Sequence, residues 1–308
     1  MTDKKRIIPL NVIPLDDNEA DQDLVLLESL KNNAISKAVA SAKAMINEQA
    51  PDPPEQGVFS FLPTVLTRIS PFFPMSRKEL RTHPFKTGME WETSWGRITV
   101  KSGNECLSVS DETTLLSLLE LAKKGNTETI EISLYQLCKM TNPNPNKLSY
   151  KRHWGSLERL MGTVFKLEIL KGKGKDRKPV KEMIGNILSF AERDHETNIL
   201  TIVLNIYFLE MFGQGFITNL DLKLRSRLKG DVSKSVYRFL QGQRNYEYRC
   251  HMLTMAKAIN MDLSLPNYEI RRRLRIAFRE LRKVEYLKKW TMPKDILTVY
   301  KSAMPSKD

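Results

Sequence analysis

Twice along this chain a helix, a short helix, a turn, a longer helix and a β-hairpin follow one another. That order predicts an α+β fold: two tandem winged-helix domains preceded by a mostly detached N-terminal helical segment. Two further observations support it. A Pro-rich stretch, PDPPEQG at 51–57, separates a helix-forming run at 18–48 from everything after it. Charge divides at the same place. The 308-residue chain carries +13 overall, and residues 1–57 hold six Lys/Arg against ten Asp/Glu, a net −4, so residues 58–308 carry +17. The basic charge therefore belongs to the folded part and points to a polyanionic partner. The expected division is 1–57 as an extension, 58–204 as the first winged helix and 205–308 as the second.

The first domain begins near Trp95 with a strand, GRITV, and a turn, SGNE. Helix SDETTLLSLLELAKKG follows, with Ser110 as the expected cap, Asp111 and Glu112 at its positive end, Lys123 and Lys124 at its negative end, and Gly125 to close it. Strand TIEI leads into a short helix, SLYQLCKMT, whose Ser133 and Gln136 have capping-box spacing. After the NPNPN turn, KLSYKRHWGSLERLMG makes the third helix. Its expected buried face is Tyr150, Trp154, Leu157, Leu160, Met161 and Val164, with Lys151, Arg152 and Arg159 roughly opposite. Those three cations read either as DNA contacts or as a protein-facing or merely solvated face. Strand VFKLEIL, the basic turn KGKGKDRKP, strand VKEMIGNILSF and strand NILTIVL complete the domain. The turn makes Lys173, Lys175, Arg177 and Lys178 phosphate candidates at a wing tip.

In the second domain, helix LNIYFLEMFGQ leads to DLKLRSRLKGDVSKSVYRFLQGQ, whose Val232, Val236, Phe239 and Leu240 keep helical spacing. CHMLTMAKAINM is the short second helix and DLSLP the turn. The third helix lies in PNYEIRRRLRIAFRELRKVEYLKKW, where Ile270, Leu274, Ala277, Phe278, Leu281 and Val284 share an arc of about 120°. Opposite them, Arg271, Arg282, Arg275, Tyr268, Arg279, Arg272 and Lys283 form a second arc that contains no acid. Like charges at helical spacing repel by a few tenths of a kcal/mol per pair. A helix that needed only solubility would mix signs, so this segregation predicts an anionic ligand. Placed as the recognition helix, it presents Asn267, Tyr268, Arg271, Arg272 and Arg275 for base reading near its N-terminus, and Arg279, Arg282 and Lys283 for phosphates. YLKKWTM and ILTVYK, joined at Pro293, Lys294 and Asp295, form the second wing. Its Lys288 and Lys289 read equally as phosphate contacts or as solubilising edge-strand charge.

Other chemistries find no support. Cys106, Cys138 and Cys250 are scattered without a CxxC pair, and His83, His153, His195 and His251 include neither HxH nor HExxH. No P-loop, GxSxG or dinucleotide fingerprint occurs, and Glu192 and Asp194 read as solvated turn residues rather than metal ligands. The expectation is a cytoplasmic protein without enzyme activity, metal or cofactor, with no apolar run long enough for a bilayer span and no signal peptide.

Two successive winged helices joined through a run from Leu224 to Leu240, with Leu224, Ser226, Leu228, Tyr237, Arg238, Phe239 and Leu240, together with WGRITVKSGNECLSVSDETTLLSLLELA, resemble TrfA-type replication initiators of iteron-containing plasmids, whose inter-domain helix that run is similar to. The resemblance covers about residues 70–300. It implies a replication initiator that binds direct repeats of double-stranded DNA at a plasmid origin and helps open the adjacent duplex. It also implies a host replication initiator and a replicative helicase as partners, and a homodimer. The alternative is a winged-helix transcriptional repressor.

Overall fold

The computed structural model describes residues 59–82, 89–92, 96–103, 105–141, 144–171, 177–208, 217–243 and 245–302. The expected helix at 18–48, the linker at 51–57, Lys173 and Lys175 lie outside them. Strand β1 (Phe59–Pro63) and short helices α1 (Thr64–Arg68) and α2 (Arg77–Thr82) lead into strands β2 (Met89–Glu92) and β3 (Gly96–Ser102). Helix α3 (Val109–Gly125), strand β4 (Thr129–Ser133), helix α4 (Leu134–Thr141) and helix α5 (Lys147–Gly162) then form the first helix-turn-helix. The capping box foreseen for α4 is present: the Ser133 hydroxyl accepts from the Gln136 amide at 3.2 Å, and the Gln136 side chain accepts from the Ser133 amide at 3.3 Å. For α3 the expected cap is corrected. The helix starts one residue before Ser110, Ser108 is its N-cap, and the Asp111 carboxylate accepts from the Ser108 amide at 2.7 Å.

Four strands follow: β5 (Thr163–Lys171), β6 (Lys178–Asn186), β7 (Leu188–Arg193) and β8 (Ile199–Leu204). The stretch expected as one strand, VKEMIGNILSF, is divided at Ile187, whose side chain is buried. This division reassigns the wing. Strands β5 and β6 form a hairpin that extends β2 and β3 into a four-stranded antiparallel sheet ordered β2-β3-β5-β6. Strands β7 and β8 pair with β4 in the order β4-β8-β7. The basic turn after β5 therefore tips an additional hairpin, and the hairpin in wing position turns at Asp194–Asn198. There the Asp194 carboxylate accepts from the Glu196 amide at 2.7 Å and the Thr197 hydroxyl at 2.6 Å, which is turn chemistry, as expected.

Strand β9 (Ile217–Asp221), helices α6 (Leu222–Arg227) and α7 (Asp231–Gln241), strand β10 (Glu247–His251), helices α8 (Met252–Ala258) and α9 (Asn267–Lys283), and strands β11 (Leu287–Thr291) and β12 (Ile296–Lys301) make the rest. The order β10-β12-β11 matches β4-β8-β7, so both domains share one winged-helix topology. Strands β9 and β10 were not foreseen: β10 claims Cys250 and His251 from the expected short helix, which begins at Met252.

The two units share one connected apolar core running from Leu62 through Leu115, Leu157 and Val236 to Phe278 and Val299. Residues 59–70 stitch them together. β1 pairs antiparallel with β9, Ser60 donates to the Leu116 carbonyl on α3 at 2.8 Å, and Arg68 donates to the Gly242 carbonyl after α7 at 2.9 Å. Gly242 is required there, because a Cβ would lie 2.0 Å from the Thr67 hydroxyl oxygen. No helix among the described residues is long and apolar enough to cross a membrane.

Candidate nucleic-acid interface

Helix α9 divides as its periodicity dictates. Ile270, Leu274, Phe278 and Leu281 are fully buried, Ala277 is 1% exposed and Val284, just past the last turn, is 8% exposed. The Phe278 ring lies 5.5 Å from the Trp290 ring of β11, so the wing and the recognition helix share a core. α7 and α8 pack on the same side. The opposite face is open: Asn267, Tyr268, Arg272, Arg275, Arg279, Arg282 and Lys283 are all exposed. Lys288 and Lys289 on β11 are exposed beside it.

Carboxylates from outside the basic arc engage two of its cations. Arg271, at the edge of the arc beside buried Phe278, is half-buried and donates from Nε and Nη2 to both oxygens of Asp295 at 2.7 and 2.8 Å. Its expected role as a base reader is corrected to a tie between the helix and the wing turn. The Arg271 hydrogen bonds hold the Asp295 carboxyl below its ordinary value. Arg272 donates to both oxygens of Glu269 at 2.7 Å, and Arg273 to one of them at 2.8 Å. The Arg272 and Arg273 hydrogen bonds pull Glu269 down to about 2. The Arg272 side chain remains 60% exposed, and such surface pairs exchange partners at little cost. Among the described residues, Arg275, Arg279, Arg282, Lys283, Lys288 and Lys289 make no salt bridge. These six form the available cationic surface. Sequence reasoning missed Ile276, which is 40% exposed at the flank of the same face, and Lys294, exposed at the wing tip with φ of 45°. An aliphatic side chain among arginines is suited to a thymine methyl.

The first domain is less clearly equipped. On α5, Lys151 and Arg152 are exposed as expected, but Arg159 is corrected. It turns inward to Asp111, donating from Nη2 at 2.9 Å and Nε at 3.2 Å, because the N-terminal turn of α3 presents a fully buried carboxylate there. The buried face of α5 centres on Ser149, His153, Ser156, Leu157 and Leu160, whereas Tyr150, Trp154 and Met161 are half-buried and Val164 lies beyond the helix, exposed on β5. His153 bridges the hydroxyls of Thr114 at 3.1 Å and Thr141 at 2.7 Å, and burial pushes its pKa down despite nearby Asp111. On the additional hairpin, Lys178 is exposed, while Arg177 is half-buried and bonded to Glu92 at 3.3 Å. Arg177 is thus partly drawn from the phosphate-binding role expected of it. The structure brings the α9 and β11 candidates together on one surface and leaves the others on separate elements. Among the described residues, no cluster of His, Cys, Asp and Glu could hold a metal ion.

Residues 99–241, from β3 to the end of α7, match the family described as "Initiator Replication protein, WH1". No curated protein sequence matches the chain. Among solved structures, the crystal structure of SeMet derivatives of domains 2 and 3 of RctB is similar at 13% identity with a TM-score of 0.53, covering 79% of this chain and 99% of that one. A second crystal structure of RctB domains 2–3 gives 12% identity and a TM-score of 0.50 over 78% and 97%. The X-ray structure of the MSBI1.176 WH1 domain, a replication protein isolated from a multiple sclerosis patient, aligns at 11% identity over 34% of this chain and 79% of that one, with a TM-score of 0.26. The RctB likeness shows the tandem winged-helix fold. The family match, confined to residues 99–241, makes the first of the two units similar to the WH1 domain of initiator replication proteins.

Proposed function

We propose that this chain is a replication initiator that binds directly repeated sites in double-stranded plasmid origin DNA, with α9 in the major groove and the β11–β12 wing on the flanking backbone. The observation that carries this reading is the open face of α9, where Arg275, Arg279, Arg282 and Lys283 project without salt-bridge partners among the described residues, opposite a sealed apolar stripe. Arg275, nearest the N-terminal half, reads bases together with Asn267, Tyr268 and Arg272, while Arg279, Arg282, Lys283, Lys288 and Lys289 neutralise phosphates. Arg271 holds the wing turn through Asp295 and so sets the wing's position on the duplex. Lys151 and Arg152 on α5, with Lys178, supply weaker backbone contacts from the first domain. Strand opening beside the repeats then draws on DNA deformation and on the host initiator and helicase.

The test is selection of binding sites from random duplexes with the wild-type chain and with an Arg275→Ala/Arg279→Ala variant. A directly repeated element enriched by the wild type and lost in the variant is the expected outcome. Equal enrichment by both would refute the assignment of α9. A plasmid-maintenance assay with the gene supplied in trans then separates initiation from repression, since a repressor gives no replicating plasmid.

A further inference from the structure

The first turn of α3 carries two adjacent acids that pair with different domains, and both are fully buried. Asp111 looks into the first domain. Its Oδ1 accepts from Arg159 of α5 at 2.9 Å and from Arg77 of α2 at 2.6 Å. Glu112 looks towards the second domain. Its Oε2 accepts from Nη1 of Arg238 on α7 at 2.5 Å and lies 3.2 Å from Nη2 of Arg225 on α6. Arg238 is fully buried and Arg225 is 2% exposed. Arg225 is further fixed to α3, donating to the Thr113 hydroxyl at 3.2 Å and the Val109 carbonyl at 3.5 Å. α7 packs directly on α9, and Glu280 of α9 accepts from the amides of Lys229 and Gly230 in the α6–α7 turn. One helix turn thus ties α5 through Asp111 and α9 through Glu112 and α7.

Stability alone does not account for this cluster. Two guanidiniums share one carboxylate, and among the described residues Glu112 Oε1, Arg225 Nε, and Arg238 Nε and Nη2 have no hydrogen-bond partner. A buried ionic group so incompletely satisfied is generally no better than an apolar replacement of equal volume. Its distinctive property is direction. Apolar contacts tolerate sliding, whereas a buried carboxylate displaced from its guanidiniums leaves charges unpaired out of water.

We infer that Glu112 is a positioning residue that locks the two winged helices at one mutual distance and angle, so that the protein reads a composite DNA site of fixed internal spacing. The locking stands on the geometry alone, and the spacing consequence rests on the DNA-binding role proposed for α9 and α5. The rigid unit comprises α3, α5, α6, α7 and α9. Its two DNA-facing helices, α5 and α9, move together or not at all.

The experiment measures the lock and its consequence separately. Spin labels on Glu131→Cys in the first domain and Thr254→Cys in the second, both exposed positions, in a Cys250→Ser background report the inter-domain distance by pulsed electron resonance. A single narrow distance is expected for the wild type, and a distribution at least about twofold broader for Glu112→Gln. The charge-free triple variant E112M/R225M/R238M, which keeps core volume, is expected to fold and to show the same broadening. An unchanged narrow distance in every folded variant overturns the inference, and so does a broad distribution in the wild type.

On DNA, five base pairs inserted between the two segments protected from hydroxyl radicals rotate them by about half a turn. The wild type should lose about 100-fold in affinity, and Glu112→Gln under about 10-fold. Wild-type indifference to the insertion, or a single protected segment, removes the spacing claim. Selective binding that survives Arg275→Ala/Arg279→Ala would instead defeat the proposed role of α9 and leave the distance measurement to decide the lock.

Discussion

Five phosphate-facing cations on α9 and β11, none of them in a salt bridge among the described residues, set a number that a titration can read. Each neutralised phosphate releases condensed counterions, so log K falls against log salt with a slope of about −0.9 per contact on duplex DNA. Arg279, Arg282, Lys283, Lys288 and Lys289 are the set, and five contacts give a slope of about −4.5. Between 50 and 200 mM salt the affinity should then drop by about 500-fold. The perturbation is Arg279→Ala/Arg282→Ala, which removes two phosphate contacts on the half of α9 away from the bases and should bring the slope to about −3. Because both side chains are exposed, unfolding free energy should change by no more than about 0.5 kcal/mol, which a urea titration checks. Binding is followed by fluorescence anisotropy of a labelled duplex at several salt concentrations, on the selected site and on a scrambled one. The loss should be similar on both, since phosphate contacts carry no sequence information. A wild-type slope shallower than about −2, or an unchanged slope in the double variant, would show that this face is not the one that meets DNA.

The remaining expectations concern stability. Phe278→Ala opens a cavity beneath the wing beside Trp290 and should cost about 3–5 kcal/mol in urea unfolding, whereas a loss under about 1 kcal/mol would mean the wing core is not packed as described. His153 has a folded pKa below its unfolded value of about 6.5, so the neutral ring's contribution is intact above that value and declines as pH falls through and below it. The urea midpoint should therefore drop between pH 7.5 and 5.5 more for the wild type than for His153→Gln, and equal drops would exclude the histidine as the source. Lys294 holds a left-handed conformation without being glycine, so Lys294→Gly should raise the thermal midpoint by relieving about 1 kcal/mol of strain. A lowered midpoint would mean that the lysine side chain stabilises the turn.

The features that were legible in the sequence are those fixed by local periodicity. The stripe from Ile270 to Val284 repeats every three to four residues, and only one register of a helix buries it, so the face of α9 followed directly. The Ser133–Gln136 capping box and the Pro293 turn were equally local. Pairings between distant segments were not legible. Nothing in FSFLP announces that it will meet ITNLD, because register between strands far apart in sequence is set by tertiary packing. Arg159 and Arg271 were misplaced for a related reason. A helical wheel shows the direction of a side chain but not the carboxylate waiting there, and Asp111 and Asp295 belong to other elements. The additional hairpin follows the recognition helix directly, as a wing does, and only the pairing of β4 with β8 shows that β7 and β8 form the wing.

The β1–β9 ribbon has a consequence for synthesis. Phe59 meets Asp221 about 160 residues later, so the first strand leaves the ribosome long before its partner exists. At ordinary elongation speeds of about 5–20 residues per second, that delay is on the order of 10–30 s. Throughout it, an apolar edge with open amides is available to the wrong strand, including the same strand on a neighbouring polysome. Yield in a host should accordingly depend on translation pace and on holdase chaperones, even for variants whose finished form is as stable as the parent.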